Sequence, residues 1–133
     1  MIFAEDLTKK FDDFLAVDGV NLDVKAGEVL VLLGPNGAGK TTTVRMLTSI
    51  LRPTRGKATI AGYDVVAHPD KVRASVGVLT EHHGLYNRMN AVEYLMFFAS
   101  LYNLQPKVAR ERMDELLVKF GLDSALKKRL GEF

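Results

Sequence analysis

The chain has 133 residues, 47% of them hydrophobic and 26% charged, which places it among globular rather than disordered sequences and allows one domain or a piece of one. A net charge of +2, from 18 Lys and Arg against 16 Asp and Glu, is too small to suggest a nucleic-acid partner. With no cysteine, neither a disulfide framework nor a thiolate metal site can form, in keeping with a reducing compartment.

Met1 is not followed by a basic segment and a long apolar run, so no signal peptide is expected. Residues 1–33 read as strands. Phe14 and Ala16, then Val20, Leu22 and Val24 after a turn expected at Asp18-Gly19, alternate with polar or oppositely facing neighbours. That period of two predicts antiparallel, half-buried strands. Ala26-Gly27-Glu28 reads as a turn. Val29, Leu30, Val31, Leu32 and Leu33 show no alternation, and a strand apolar on both faces belongs inside a covered, usually parallel, sheet.

A helix is expected over 41–51, with Val44, Leu47 and Leu51 on one face, broken by Arg52-Pro53-Thr54-Arg55-Gly56. Residues 57–61 read as a strand ending at Gly62. His68-Pro69-Asp70 starts a short helix to about Ser75, and 76–79 reads as a second all-apolar strand. From Asn90 the pattern is helical. Asn90 with Glu93 forms the outline of a capping box, and Ala91, Tyr94, Leu95, Phe98, Leu101 and Tyr102 share a face. The most apolar stretch, 91–104, is short of the roughly 17–25 residues that span a bilayer and contains Glu93. Pro106 suits the first turn of a further helix, Met113, Leu116, Leu117 and Phe120 form its apolar stripe, and Gly121 its left-handed stop. A short last helix is expected from about Asp123. Lys127-Lys128-Arg129 reads as a solvated helix end, with an anionic partner as the alternative. The order of elements implies an α/β fold with a helical appendage.

One stretch carries chemistry. Gly34-Pro-Asn-Gly-Ala-Gly39-Lys40-Thr41 matches G-x-x-x-x-G-K-[ST] between a buried-type strand and a helix. The glycines let the backbone curl so that several N–H groups share one concavity, and the helix points its positive end there. Lys40 adds a mobile charge for the outer phosphates, and the Thr41 hydroxyl can ligate a bridging Mg²⁺.

The wording around that loop resembles the nucleotide-binding domain of ABC transporters, in particular ATP-binding subunits of bacterial export-type systems, and does so over nearly the whole chain. "KKFDDFLAVDGVNLDVKAGEVLVLLG" resembles the antiparallel subdomain, "GPNGAGKTTTVRMLTSILRPTRGKATIAGYDV" the phosphate loop with its helix and the next strand, and "VGVLTEHHGLYNRMNAVEYL" the Q-loop and entry to the helical subdomain. The resemblance implies an incomplete P-loop NTPase core, with the β subdomain and P-loop portion over 1–89 and part of the helical subdomain over 90–133. It implies that Phe11 stacks on adenine, a core Phe being the alternative. Asn36, Gly37, Ala38, Gly39 and Lys40 would wrap the β- and γ-phosphates, Thr41 bind Mg²⁺, and Thr42 support the α-phosphate. Glu81 stands where the family usually has Gln, so it is read either as a Mg²⁺-linked carboxylate or as a surface loop residue. His82 and His83 are read as loop residues. The partners implied are a transmembrane permease, received near 83–94, and a second ATP-binding subunit, with the protein on the cytoplasmic face of the membrane and not inserted in it.

The family's LSGGQ-like signature, Asp-Glu strand and switch His are not found in these 133 residues. The expectation is a truncated domain, binding ATP but not hydrolysing it alone, with exposed sheet edges. Two other readings compete with it. In a small P-loop kinase, 76–81 would be the acidic strand and Arg110 or Arg112 a lid; in a non-hydrolytic regulatory fragment, the chain would pair with an intact subunit.

Overall fold

In the computed structural model, which describes residues 1–79, 84–126 and 128–132, the chain divides into two units, Met1–Val78 and Leu79–Phe133. The first is built on a hairpin. Strands β1 (Ile2–Phe11) and β2 (Phe14–Val24) turn at Asp12-Asp13, where Asp12 takes a φ of 46°. β3 (Arg55–Ile60) and the two-residue β4 (Tyr63–Asp64) complete an antiparallel sheet of order β2-β1-β3-β4.

The turn expected at Asp18-Gly19 is instead a bulge within β2. The register steps from Leu7↔Val20 to Lys9↔Val17, so Asp18 and Gly19 together face the single residue Thr8. Gly19, at φ 60°, takes up the extra residue without reversing the chain, and its N–H donates to the Thr8 hydroxyl at 3.0 Å. A second bulge on β1 sets Asp6 at φ 51°, its N–H bonded to Asn21 Oδ1 at 2.9 Å.

Helix α1 (Lys40–Leu47) and helix α2 (Pro69–Ser75) bury Met46, Leu47 and Val72 in one core with Leu7 and Val17 of the hairpin and Ala58 and Ile60 of β3. α1 ends earlier than its periodicity predicts, because Ser49 adopts φ 57° and the Ile50 and Leu51 N–H groups both turn back to the Arg45 carbonyl at 2.9 Å. Its buried face is Thr43, Met46 and Leu47, with Val44 outside.

Two expected strands are not formed. Residues 29–33 and 76–79 carry no strand pairing, and Val29, Leu33 and Leu79 are 90%, 87% and 90% exposed. An apolar run becomes a strand only when neighbours satisfy its backbone N–H and C=O groups. Every strand pair among the described residues is antiparallel and lies within β1–β4. The α/β class and the N-terminal antiparallel subdomain stand, while the parallel sheet expected from these runs is absent among the described residues.

In the second unit, α3 (Ala91–Leu101) begins with the expected capping box: the Glu93 N–H donates to Asn90 Oδ1 and the Asn90 N–H to Glu93 Oε2, both at 2.9 Å. α4 (Pro106–Lys119) starts at Pro106 and stops before Gly121, at φ 65°. Its buried stripe is Ala109, Met113 and Leu117, narrower than predicted, since Leu116 and Phe120 are exposed. Met113 and Leu117 pack with Ala91, Leu95 and Met96 of α3. The expected last helix is replaced by two 3-10 turns, Asp123–Ala125 and Leu130–Glu132. The second is tied back through Leu130 N–H to the Met89 carbonyl at 2.8 Å. Among the described residues no helix is long and apolar enough to cross a membrane.

Candidate functional site

The glycine-rich loop ends at Gly39, the N-cap of α1, with φ 84°. A Cβ there would stand 2.5 Å from the Ala16 carbonyl oxygen and 3.0 Å from Val17 Cγ2, so only glycine lets the helix begin this close to β2. The first helical bond runs from Thr43 N–H to Gly39 O at 2.8 Å, and the buried Thr43 hydroxyl donates to the same oxygen at 3.0 Å. The amides of Lys40, Thr41 and Thr42 precede that bond and have no acceptor within the helix. They form, with the helix dipole, an anion-directed end.

Lys40 folds over the loop. Its ammonium donates to the carbonyls of Gly34 and Pro35 at 2.6 and 2.7 Å, while Ala38 N–H closes a turn onto Pro35 O at 3.2 Å. The ion pairs among the described residues are Lys25–Asp23, Arg55–Asp6, Lys57–Glu5 and Arg73–Asp70. Lys40 is in none of them, so among these residues its charge is met by carbonyl dipoles rather than by a carboxylate. The arrangement brings Asn36, Gly37, Ala38, Gly39, Lys40, Thr41 and Thr42 into one loop and first helical turn. Asn36 and Thr41 are exposed and Thr42 is half-buried. This set suits an oxyanion of high charge. It also suits Mg²⁺ that already carries phosphate oxygens and water, because the Thr41 hydroxyl is an accessible neutral oxygen donor. Among the described residues no group of three His, Cys, Asp or Glu side chains could hold a metal alone.

Phe11 ends β1 opposite Phe14, outside the buried core and 42% exposed. Ala16, the residue against which Gly39 packs, lies two positions beyond Phe14 on β2, about 7 Å at roughly 3.3 Å per residue. The hairpin tip and the start of α1 therefore flank the same short stretch of β2. Glu81, His82 and His83 lie outside the described residues.

Sequence reasoning passed over what holds Phe11. The Lys9 ammonium sits 5.0 Å from the Phe11 ring centroid and donates to the Arg52 carbonyl at 2.9 Å. The Thr54 hydroxyl accepts from Lys10 N–H at 3.1 Å and donates to Lys10 O at 3.3 Å. The available signal was Lys9 two residues before an aromatic, since residues i and i+2 of a strand share a face. Of the 76–81 strand that the kinase reading needs, 76–79 pairs with nothing described and 80–81 lie outside the described residues; Arg110 and Arg112 are exposed on α4.

Comparison with known proteins points the same way. Residues 17–133 match the family model described as ABC transporter. The chain is 44% identical over 119 residues to the doxorubicin resistance ATP-binding protein DrrA of Mycobacterium tuberculosis, covering 90% of this chain and 36% of that one. It is 40% identical over 138 residues to the ABC transporter ATP-binding protein NatA of Bacillus subtilis, covering 100% of this chain and 56% of that one. A solved structure described as the ATP binding subunit of an ABC transporter superposes with a TM-score of 0.85 at 29% identity, over 99% of this chain and 55% of that one. The chain thus spans about half, or less, of the proteins it matches.

Proposed function

The chain belongs to the ABC transporter family, and from that premise we propose that it binds Mg-ATP as the ATP-binding part of a drug-export type transporter. The observation that carries the reading is the start of α1. There the Lys40 ammonium, paired with no carboxylate among the described residues, lies over the loop, and three amides without helical acceptors follow Gly39, which seats the helix start against β2. In this reading Asn36, Gly37, Ala38, Gly39 and Lys40 enclose the β- and γ-phosphates, Thr42 supports the α-phosphate, and Phe11 provides a face for adenine. Thr41 contributes the oxygen that would hold Mg²⁺, and the metal would neutralise charge between the outer phosphates. Glu81 is a further Mg²⁺-linked candidate. The division into a β and P-loop portion over 1–89 and a helical portion over 90–133 belongs to the same proposal.

In the same reading its partners are a membrane permease and a second ATP-binding subunit, and its place is the cytoplasmic face of a membrane; relatives named as ATP-binding proteins of ABC transporters support a transporter assembly. Hydrolysis by these 133 residues alone is not expected, since none of them supplies an Asp-Glu strand or a signature segment. The test is Mg-ATP affinity by calorimetry with Lys40→Ala as comparison. A charge-assisted hydrogen bond contributes about 1.5–3 kcal/mol, so affinity should fall roughly 10- to 150-fold. Equal affinity of the two proteins overturns the assignment.

A further inference from the structure

We propose that Lys9 is a positioning residue of the base site, fixing the Phe11 ring relative to the phosphate-binding helix. This rests on reading Phe11 as the platform for the nucleotide base.

Two contacts meet at the Lys9 ammonium. It lies 5.0 Å from the Phe11 ring centroid, within the range where a cation is held by the ring's negative face. It also donates to the Arg52 carbonyl at 2.9 Å. Arg52 belongs to the connection that leaves α1 and enters β3, the helix whose other end is the phosphate loop. Lys9 thus bridges, through one charged group, the aromatic ring and the segment that follows α1.

The backbone next to Phe11 is tied to that same segment. Thr54 N–H donates to Thr8 O at 2.9 Å, and the Thr54 hydroxyl bonds both the N–H and the C=O of Lys10, at 3.1 and 3.3 Å. Backbone and side chain of the last residues of β1 are therefore both registered against the exit of α1. Phe11 remains 42% exposed with the ammonium in place, so ring surface is left for a base. A ring already held gives up less rotamer freedom when a base stacks on it, which is the general advantage of preorganisation.

A second such pair, Lys71 at 5.3 Å from the Tyr63 ring centroid, lies on α2 and β4 and serves as an internal comparison. Among the described residues Lys71 makes no bond to the segment leaving α1.

The measurement is the ratio of affinities for ATP and for inorganic tripolyphosphate, which has the phosphates and no base, on the full chain with Mg²⁺. Lys9→Met should lower the preference for ATP about two- to fivefold, the size of an exposed cation–π contact, and leave tripolyphosphate binding unchanged. Lys9→Arg should restore the preference, and Lys71→Met should not alter it. An unchanged preference in Lys9→Met, or an equal loss for both ligands, overturns the proposal. Phe11→Ala separates it from its premise. If Phe11→Ala abolishes the preference and Lys9→Met does not, Lys9 has no positioning role. If Phe11→Ala keeps the preference, the base platform itself is wrong and the proposal falls with it.

Discussion

Gly39→Ala tests the packing that aims the start of α1. Two costs combine there. An L-residue held at φ 84° gives up about 1–2 kcal/mol against glycine. The added Cβ would also stand 2.5 Å from the Ala16 carbonyl oxygen and 3.0 Å from Val17 Cγ2. The nearer neighbour is the backbone of β2 rather than the far end of a flexible side chain, so overpacking adds about 1–3 kcal/mol. Gly37→Ala isolates the first cost, because Gly37 has φ 85° but nothing within 4 Å of where its methyl would stand. Subtracting one variant from the other cancels the backbone contribution. Gly39→Ala should be the less stable by about 1–3 kcal/mol in urea unfolding followed by far-ultraviolet circular dichroism. Equal midpoints for the two variants would refute the claim that the helix start is seated on β2.

Asn90→Ala removes one half of the capping box, in which both bonds are 2.9 Å. It should cost about 1 kcal/mol and speed hydrogen exchange at the Glu93 amide about fivefold, whereas Asn90→Gly should cost only a few tenths; unchanged exchange in Asn90→Ala would count against the cap. Val31→Lys should leave stability within about 0.5 kcal/mol, as expected of an exposed position, and reduce self-association in sedimentation velocity. A loss of the size produced by core truncation would instead place 29–33 in a packed environment.

What could be read from the sequence was local. The loop from Gly34 to Thr41, the Asn90–Glu93 cap, the Pro106 helix start and the Gly121 stop each depend on neighbours within a few residues, and each is found where its residues place it. Longer-range features were read less well. Asp18-Gly19 looks like a turn by composition, but a left-handed glycine also serves a bulge, and only the pairing with Thr8 decides between them. The aliphatic runs 29–33 and 76–79 have strand composition without strand partners, and composition says nothing about partners. The apolar stripe of α4 placed Leu116 and Phe120 inward, yet the contact with α3 is satisfied by Met113 and Leu117. At the site, the residues proposed to hold phosphate could be picked out together because one loop and first helical turn contains them. Lys9 and Thr54 could not, because the bonds they make to Arg52 and Lys10 cross more than forty positions of chain.

The central claim is that the N-terminus of α1 holds the phosphates of a nucleotide. Amide chemical shifts of the ¹⁵N-labelled chain, followed during titration with Mg-ATP, test it most directly. The largest changes should fall on Gly37, Gly39, Lys40, Thr41 and Thr42, with smaller changes at Phe11, and should need roughly 10- to 150-fold more Mg-ATP to reach the same extent in Lys40→Ala. Saturable changes confined to another surface, such as the shallow groove lined by Phe3, Asn21 and Leu22, or no changes at all, would contradict it.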